Sequence, residues 1–175
     1  MGIELIPGYN VKSGSRLDRA LLVKFMQRTY TELYPHNDFA HLAKTVDQYL
    51  AGDTRLWWVI PNEAVGDHQP NYPTSFGRRA MSSDSPIACL WLGNAVDQIH
   101  GDRHTYIFLL YVAPHQRRQG IGSALVRQAE AWATSRGDRQ IALQVFHDNA
   151  PAQALYRKLG YGPKSVWMTK PLQQS

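Results

Sequence analysis

Only one cysteine, Cys89, occurs in the chain. That count excludes an intrachain disulfide, and the apolar setting IACLWL over 87–92 reads as a buried thiol. Seven histidines are scattered without ligand spacing, so no metal site is expected. No uninterrupted apolar run is long enough to cross a bilayer, so no membrane partner is expected. The opening MGIELIPGYN lacks a basic segment followed by an apolar stretch, and Gly2 is not followed by the Ser/Thr of a myristoylation signal. A cytoplasmic location is expected from these features. No dense basic run lies outside 115–118. Nineteen basic residues against fourteen acidic ones give +5, which suits an anionic ligand and is too mild for nucleic acid. Internal repeats and low-complexity tracts are lacking too.

What is present suffices for one domain over 1–175, with 43% hydrophobic residues to fill a core. Residues 3–9 read as a short first strand or extended arm. Ser15 is placed to cap a helix over 16–33, and Asn37 or Asp38 a second over 38–51. Strands follow over 55–60, 87–93 and 104–113, the last two joined as a hairpin. Between the first two lies a flexible insertion over 61–86 with four prolines, either a lid or an unstructured loop. A helix over 121–136 stops at Gly137, a strand covers 140–146, and Asn149 caps a helix running to Leu159. A last strand or hairpin is expected over 161–168. Three consecutive strands in the middle argue against a doubly wound parallel sheet. The expected class is α/β with a mixed, mostly antiparallel sheet and helices on both faces.

The stretch 104–123 carries the chemistry. A strand-like apolar run meets Pro114, a basic segment, Gly120-Ile121-Gly122 and then an amphipathic helix. Such a turn offers converging backbone N–H groups and the positive end of a helix dipole to a phosphate. A dinucleotide fingerprint is excluded because Leu125 holds the third glycine position, and a Walker loop because its Lys-Ser/Thr is missing. An ordinary glycine turn without ligand remains the bland alternative. However, Arg117-Arg118-Gln119-Gly120-Ile121-Gly122 fits R-x-x-G-x-G. About thirty residues later comes Asn149-Ala-Pro-Ala-Gln-Ala-Leu155-Tyr156, continuing to Gly160-Tyr161. These two blocks, in this order, resemble the GNAT superfamily of acyl-CoA-dependent N-acetyltransferases. The resemblance covers 104–161 specifically, 1–60 by element order only, and 61–86 not at all.

The resemblance implies a splayed sheet whose gap admits acetyl-CoA. The backbone along Leu110, Tyr111 and Val112 would hold pantetheine. The loop and helix start at Arg117, Arg118, Gln119, Gly120, Ile121, Gly122 and Ser123 would hold pyrophosphate. Ser123 has an equal reading as a plain first-turn residue. Asn149 would cap its helix and touch the cofactor. Tyr156 would protonate the leaving thiolate, and a backbone N–H near Val112 would stabilise the oxyanion.

Many family members carry a glutamate on one of the two splayed strands. The matching positions here are Phe108 and Gln144, neither a useful proton acceptor. A water relay with Tyr106 or His147 as nearest groups is the expected substitute, with His104 and Asp148 as weaker ones. Trp57, Trp58 and Trp91 are assigned to the core. The expected activity is N-acetylation of a primary amine. The alternative is a non-catalytic acyl-CoA-binding sensor. Acceptor identity and the choice between monomer and homodimer stay open.

Overall fold

The computed structural model describes residues 3–62 and 85–172. The expected insertion over 61–86 therefore lies almost wholly outside the described residues. Proximity along the backbone divides the chain into two compact units, Met1–Gln144 and Val145–Ser175.

The first unit is built on a six-stranded sheet whose strands lie side by side in chain order. They are β1 (Ile3–Ile6), β2 (Tyr9–Ser13), β3 (Arg55–Pro61), β4 (Ala88–Val96), β5 (Arg103–Val112) and β6 (Ile141–Leu143). All neighbours are antiparallel except β5 and β6, which run parallel. The expected first strand over 3–9 is instead a hairpin, because Pro7 and Gly8 reverse the chain with Gly8 at φ +86°.

Helix α1 (Arg19–Leu33) follows a short 3₁₀ turn, Arg16–Asp18. That turn carries a full capping box between Ser15 and Asp18. Helix α2 (Leu42–Tyr49) starts later than expected, since Asp38 closes a turn by accepting from the Ala40 N–H at 2.9 Å rather than capping the helix. Helix α3 (Ile121–Ser135) ends as expected, with Gly137 at φ +76°.

Adjacent residues on a strand point to opposite faces. Trp58 of β3 meets Phe25 of α1 edge-on at 5.1 Å, and Trp57 meets Trp132 of α3 at 6.3 Å. Helices α1 and α3 therefore cover opposite faces. All three strand tryptophans, Trp57, Trp58 and Trp91, are buried, as is Cys89, whose thiol pKa burial raises. Burying one such large side chain stabilises by roughly 1.5–3 kcal/mol.

Strand β5 has two different halves. Its first half, up to Ile107, has β4 on one side and β6 on the other, through the pairs Thr105–Ile141, Tyr106–Ala142 and Ile107–Leu143. Asp138 locks this end. Its buried carboxylate accepts from Thr105 Oγ1 at 2.6 Å and from Arg103 at 3.1 Å, with Arg136 at 3.7 Å. The ladder with β6 stops at Ile107, and β6 ends at Leu143 although a strand to 146 is expected. From Phe108 to Val112 no described strand runs beside β5 on that side.

The second unit holds helix α4 (Ala150–Lys158). Asn149 caps it by accepting from the Ala152 N–H at 3.2 Å, and Gly160 leaves it at φ +90°. The strand expected over 161–168 is not formed, and Val166, Trp167 and Met168 are exposed. A strand needs a neighbour for its backbone groups, and the described residues of this unit contain none.

Candidate active site

The open half of β5 presents a defined set of backbone groups. The Ala113 N–H reaches back to the Ile87 carbonyl at 2.8 Å, which places Tyr111 and Ala113 in bonded positions toward β4. Alternation along an antiparallel ladder then turns the N–H and C=O of Leu110 and Val112 away from β4. The Val112 carbonyl agrees with this direction, accepting from Arg117 Nε at 2.8 Å. The opening itself has a local cause. Trp91 pairs with Leu109 and Leu92 with Ile107, so Phe108 is an extra residue, a β-bulge. A bulge increases local twist and bends a strand, and this one sits where β6 parts from β5.

Beyond Val112 the chain makes a 3₁₀ turn, Pro114–Gln116, and enters α3. Gly120 is the helix N-cap at φ +87°, and it gives no side-chain cap. The first intrahelical bond runs from Ala124 N–H to the Gly120 carbonyl at 3.0 Å. The N–H groups of Ile121, Gly122 and Ser123 consequently have no intrahelical partner, and they point along the positive end of the helix dipole. A Cβ on Gly120 would meet nothing within 4 Å, so glycine serves here through its positive φ. Ile121 is buried and anchors the helix start. Gln119 is tied back to β2 through the Tyr9 hydroxyl, which also lies 2.7 Å from Gln116.

The two arginines of the loop differ. Arg117 is held by the Glu32 carboxylate at 2.5 Å, and the Tyr111 hydroxyl donates to the same carboxylate at 3.0 Å. Its charge is thus partly answered from α1. Arg118 sits at φ +66°, exposed, with no ion-pair partner among the described residues. Of the pair, Arg118 is the one whose charge faces outward unanswered. Tyr111 faces the core, its ring 5.3 Å from Phe25. It belongs to the tether rather than to the open edge.

Phe108 and Tyr106 share a face, with ring centres 5.3 Å apart. Tyr106 also reaches the Gln144 backbone, one residue past the end of β6, and so bridges the fork. Burial, followed by the nearby Tyr30, raises its hydroxyl pKa, which keeps it a proton donor near neutrality. His104 is buried beside Gln140, with Nδ1 3.3 Å from Nε2, and Gln140 donates on to Asp97 at 2.9 Å. In the second unit Tyr156 is buried, 5.5 Å from the ring of Tyr161, and burial raises its pKa. His147 and Asp148 are exposed, and the His147 carbonyl accepts from Gln153 at 2.7 Å.

A strand with an open edge running into an uncapped helix start can take an extended polar chain along its backbone and a phosphate at its end. Comparison with known proteins agrees. The family model described as "Acetyltransferase (GNAT) family" matches residues 22–161, and the chain belongs to that family. A similar sequence is the aminoglycoside N(6')-acetyltransferase type 1 of Acinetobacter haemolyticus. It is 32% identical over 85 residues, covering 47% of this chain and 59% of that protein. Among solved structures, a GCN5-related N-acetyltransferase from Ralstonia eutropha aligns at TM-score 0.67 and 22% identity, over 94% of this chain and 99% of that one. An acetyltransferase from Clostridium acetobutylicum, solved with acetyl-CoA, aligns at 0.68 and 18%, over 93% and 96%. Such identities establish the fold. The chain spans 13% to 59% of the length of the curated relatives it matches.

The Glu32–Arg117–Tyr111 tether is invisible to sequence reasoning. Glu32 lies 85 residues from Arg117, and nothing local marks it.

Proposed function

We propose that the protein is a single-domain N-acetyltransferase that moves an acetyl group from acetyl-CoA to a primary amine. The family match runs from 22 to 161 and so spans both units, which supports one functional domain. The observation that carries the reading is the open half of β5 continuing into the uncapped start of α3. Pantetheine amides pair with the backbone of Leu110 and with the Val112 carbonyl. Pyrophosphate sits on the N–H groups of Ile121, Gly122 and Ser123, with Arg118 supplying charge.

The neutral amine nitrogen attacks the thioester carbonyl, and the Val112 N–H stabilises the oxyanion. The C–S bond then breaks, the sulfur leaves with a proton from Tyr156, and the nitrogen gives up one proton to water. The products are the amide and free CoA thiol. A general acid must hold its proton at working pH, and the burial-raised pKa of Tyr156 favours this. Tyr106 is a donor at the fork, and a water chain with His147 carries the amine proton out.

Release of free thiol from acetyl-CoA in the presence of an amine panel tests the reading. Tyr156→Phe should lower kcat by about 10²–10³-fold with the KM for acetyl-CoA unchanged. Since its pKa is raised, Tyr156 should impose no alkaline fall in kcat below about pH 10. Phe108, standing where an acid is common, favours the second reading of a non-catalytic acyl-CoA sensor. Tight CoA binding with no thiol release across the panel would establish that one.

A further inference from the structure

Phe108 does more than vacate an acidic position. Its ring lies over Gly93 so closely that a Cβ there would be 2.0 Å from Phe108 Cε2. It packs 4.8 Å from Trp91, 5.2 Å from Tyr49 and 5.3 Å from Tyr106. Trp91 is the fully buried floor, while Phe108 and Tyr106 are half-buried and Tyr49 is 41% exposed. Rings from β4, β5 and α2 thus form one aromatic shelf around Phe108. It begins at the first residue of the open half of β5.

The carboxylates of Asp47, Glu32 and Asp53 are each engaged by another side chain. Asp47, two residues before Tyr49, is paired with Arg19. Glu32, two residues after Tyr30, holds Arg117 and Tyr111. Asp53 accepts from Asn94 at 2.7 Å. A polycationic acceptor needs several carboxylates to replace its lost hydration, and this shelf offers rings instead. Ring faces stack on other rings and attract a single cation.

Resting on the acetyl-transfer reading, we infer that the acceptor is a primary amine joined through a short chain to an aromatic ring, seated on the shelf of Phe108, Tyr49 and Tyr106. Tyr49 is its specificity-determining residue, because it is the most exposed ring against Phe108 and its loss leaves the floor intact.

Direct titration of the CoA-saturated protein tests this with 2-phenylethylamine, n-butylamine and kanamycin as probes. Phenylethylamine should bind about tenfold more tightly than either of the others. Tyr49→Ala should cost it about tenfold while leaving n-butylamine and CoA affinities unchanged, and Tyr49→Phe should restore it. Equal or tighter binding of kanamycin overturns the inference. So does unchanged phenylethylamine affinity in Tyr49→Ala with CoA binding intact. Tyr49-dependent binding without thiol release from any amine would support the shelf and contradict acetyl transfer. Turnover of kanamycin alone would do the reverse.

Discussion

The two halves of β5 share one strand and do opposite work. Residues 103–107 have a strand on each side and the buried Asp138 carboxylate beneath them. Among the described strands, residues 108–112 have β4 alone, and their outward backbone groups end in a turn that leaves a helix start uncapped. The first half satisfies its polar groups internally and stabilises the fold. The second leaves its outward groups without a strand partner among the described residues. One extra residue, Phe108, separates the two regimes, because the bulge it makes ends pairing with β6 just where the open edge begins.

Substitutions should separate these roles. The largest effect belongs to the closed half. Asp138→Ala strands Thr105 Oγ1 and two guanidinium groups, and should cost about 3 kcal/mol of unfolding free energy. Urea denaturation would measure it, with kcat/KM per folded molecule unchanged. The open half should show the converse. Val112→Pro removes an N–H that faces away from β4, a place where proline is tolerated. Its urea midpoint should stay near wild type while kcat/KM falls by about 100-fold, the scale of a lost oxyanion donor. At the junction, Gly93→Ala drives a methyl into the Phe108 ring and should cost about 1–3 kcal/mol. Pairing it with Phe108→Leu should recover much of that loss. The smallest effect is expected for Glu32→Gln. That ion pair is partly exposed, so its loss should cost under about 1 kcal/mol, with a KM for acetyl-CoA raised about twofold as Arg117 loosens.

Much of this division is legible in the amino-acid sequence alone. The apolar run meeting Pro114, Arg117 to Gly122, and Asn149 with Tyr156 seven residues on are local signals read by spacing. Features made by distant residues are not. Nothing near Thr105 announces Asp138, 33 residues later, or explains why β6 is only Ile141–Leu143. Phe108 reads in sequence as a missing base. Its meaning as a bulge and as the centre of an aromatic shelf depends on Gly93 and Tyr49, which reach it only through the sheet and α2. The Pro7–Gly8 reversal is a local signal that a single-strand reading overrides, because each arm is too short to show its own period.

Amide hydrogen exchange along β5, with and without acetyl-CoA, tests the division most directly. Thr105, Ile107 and Tyr111 should exchange slowly in both states. Leu110 and Val112 should exchange fast in the free protein and slow by about tenfold when acetyl-CoA binds, as each N–H gains a partner. Fast exchange at Leu110 and Val112 in the acetyl-CoA complex would contradict the account.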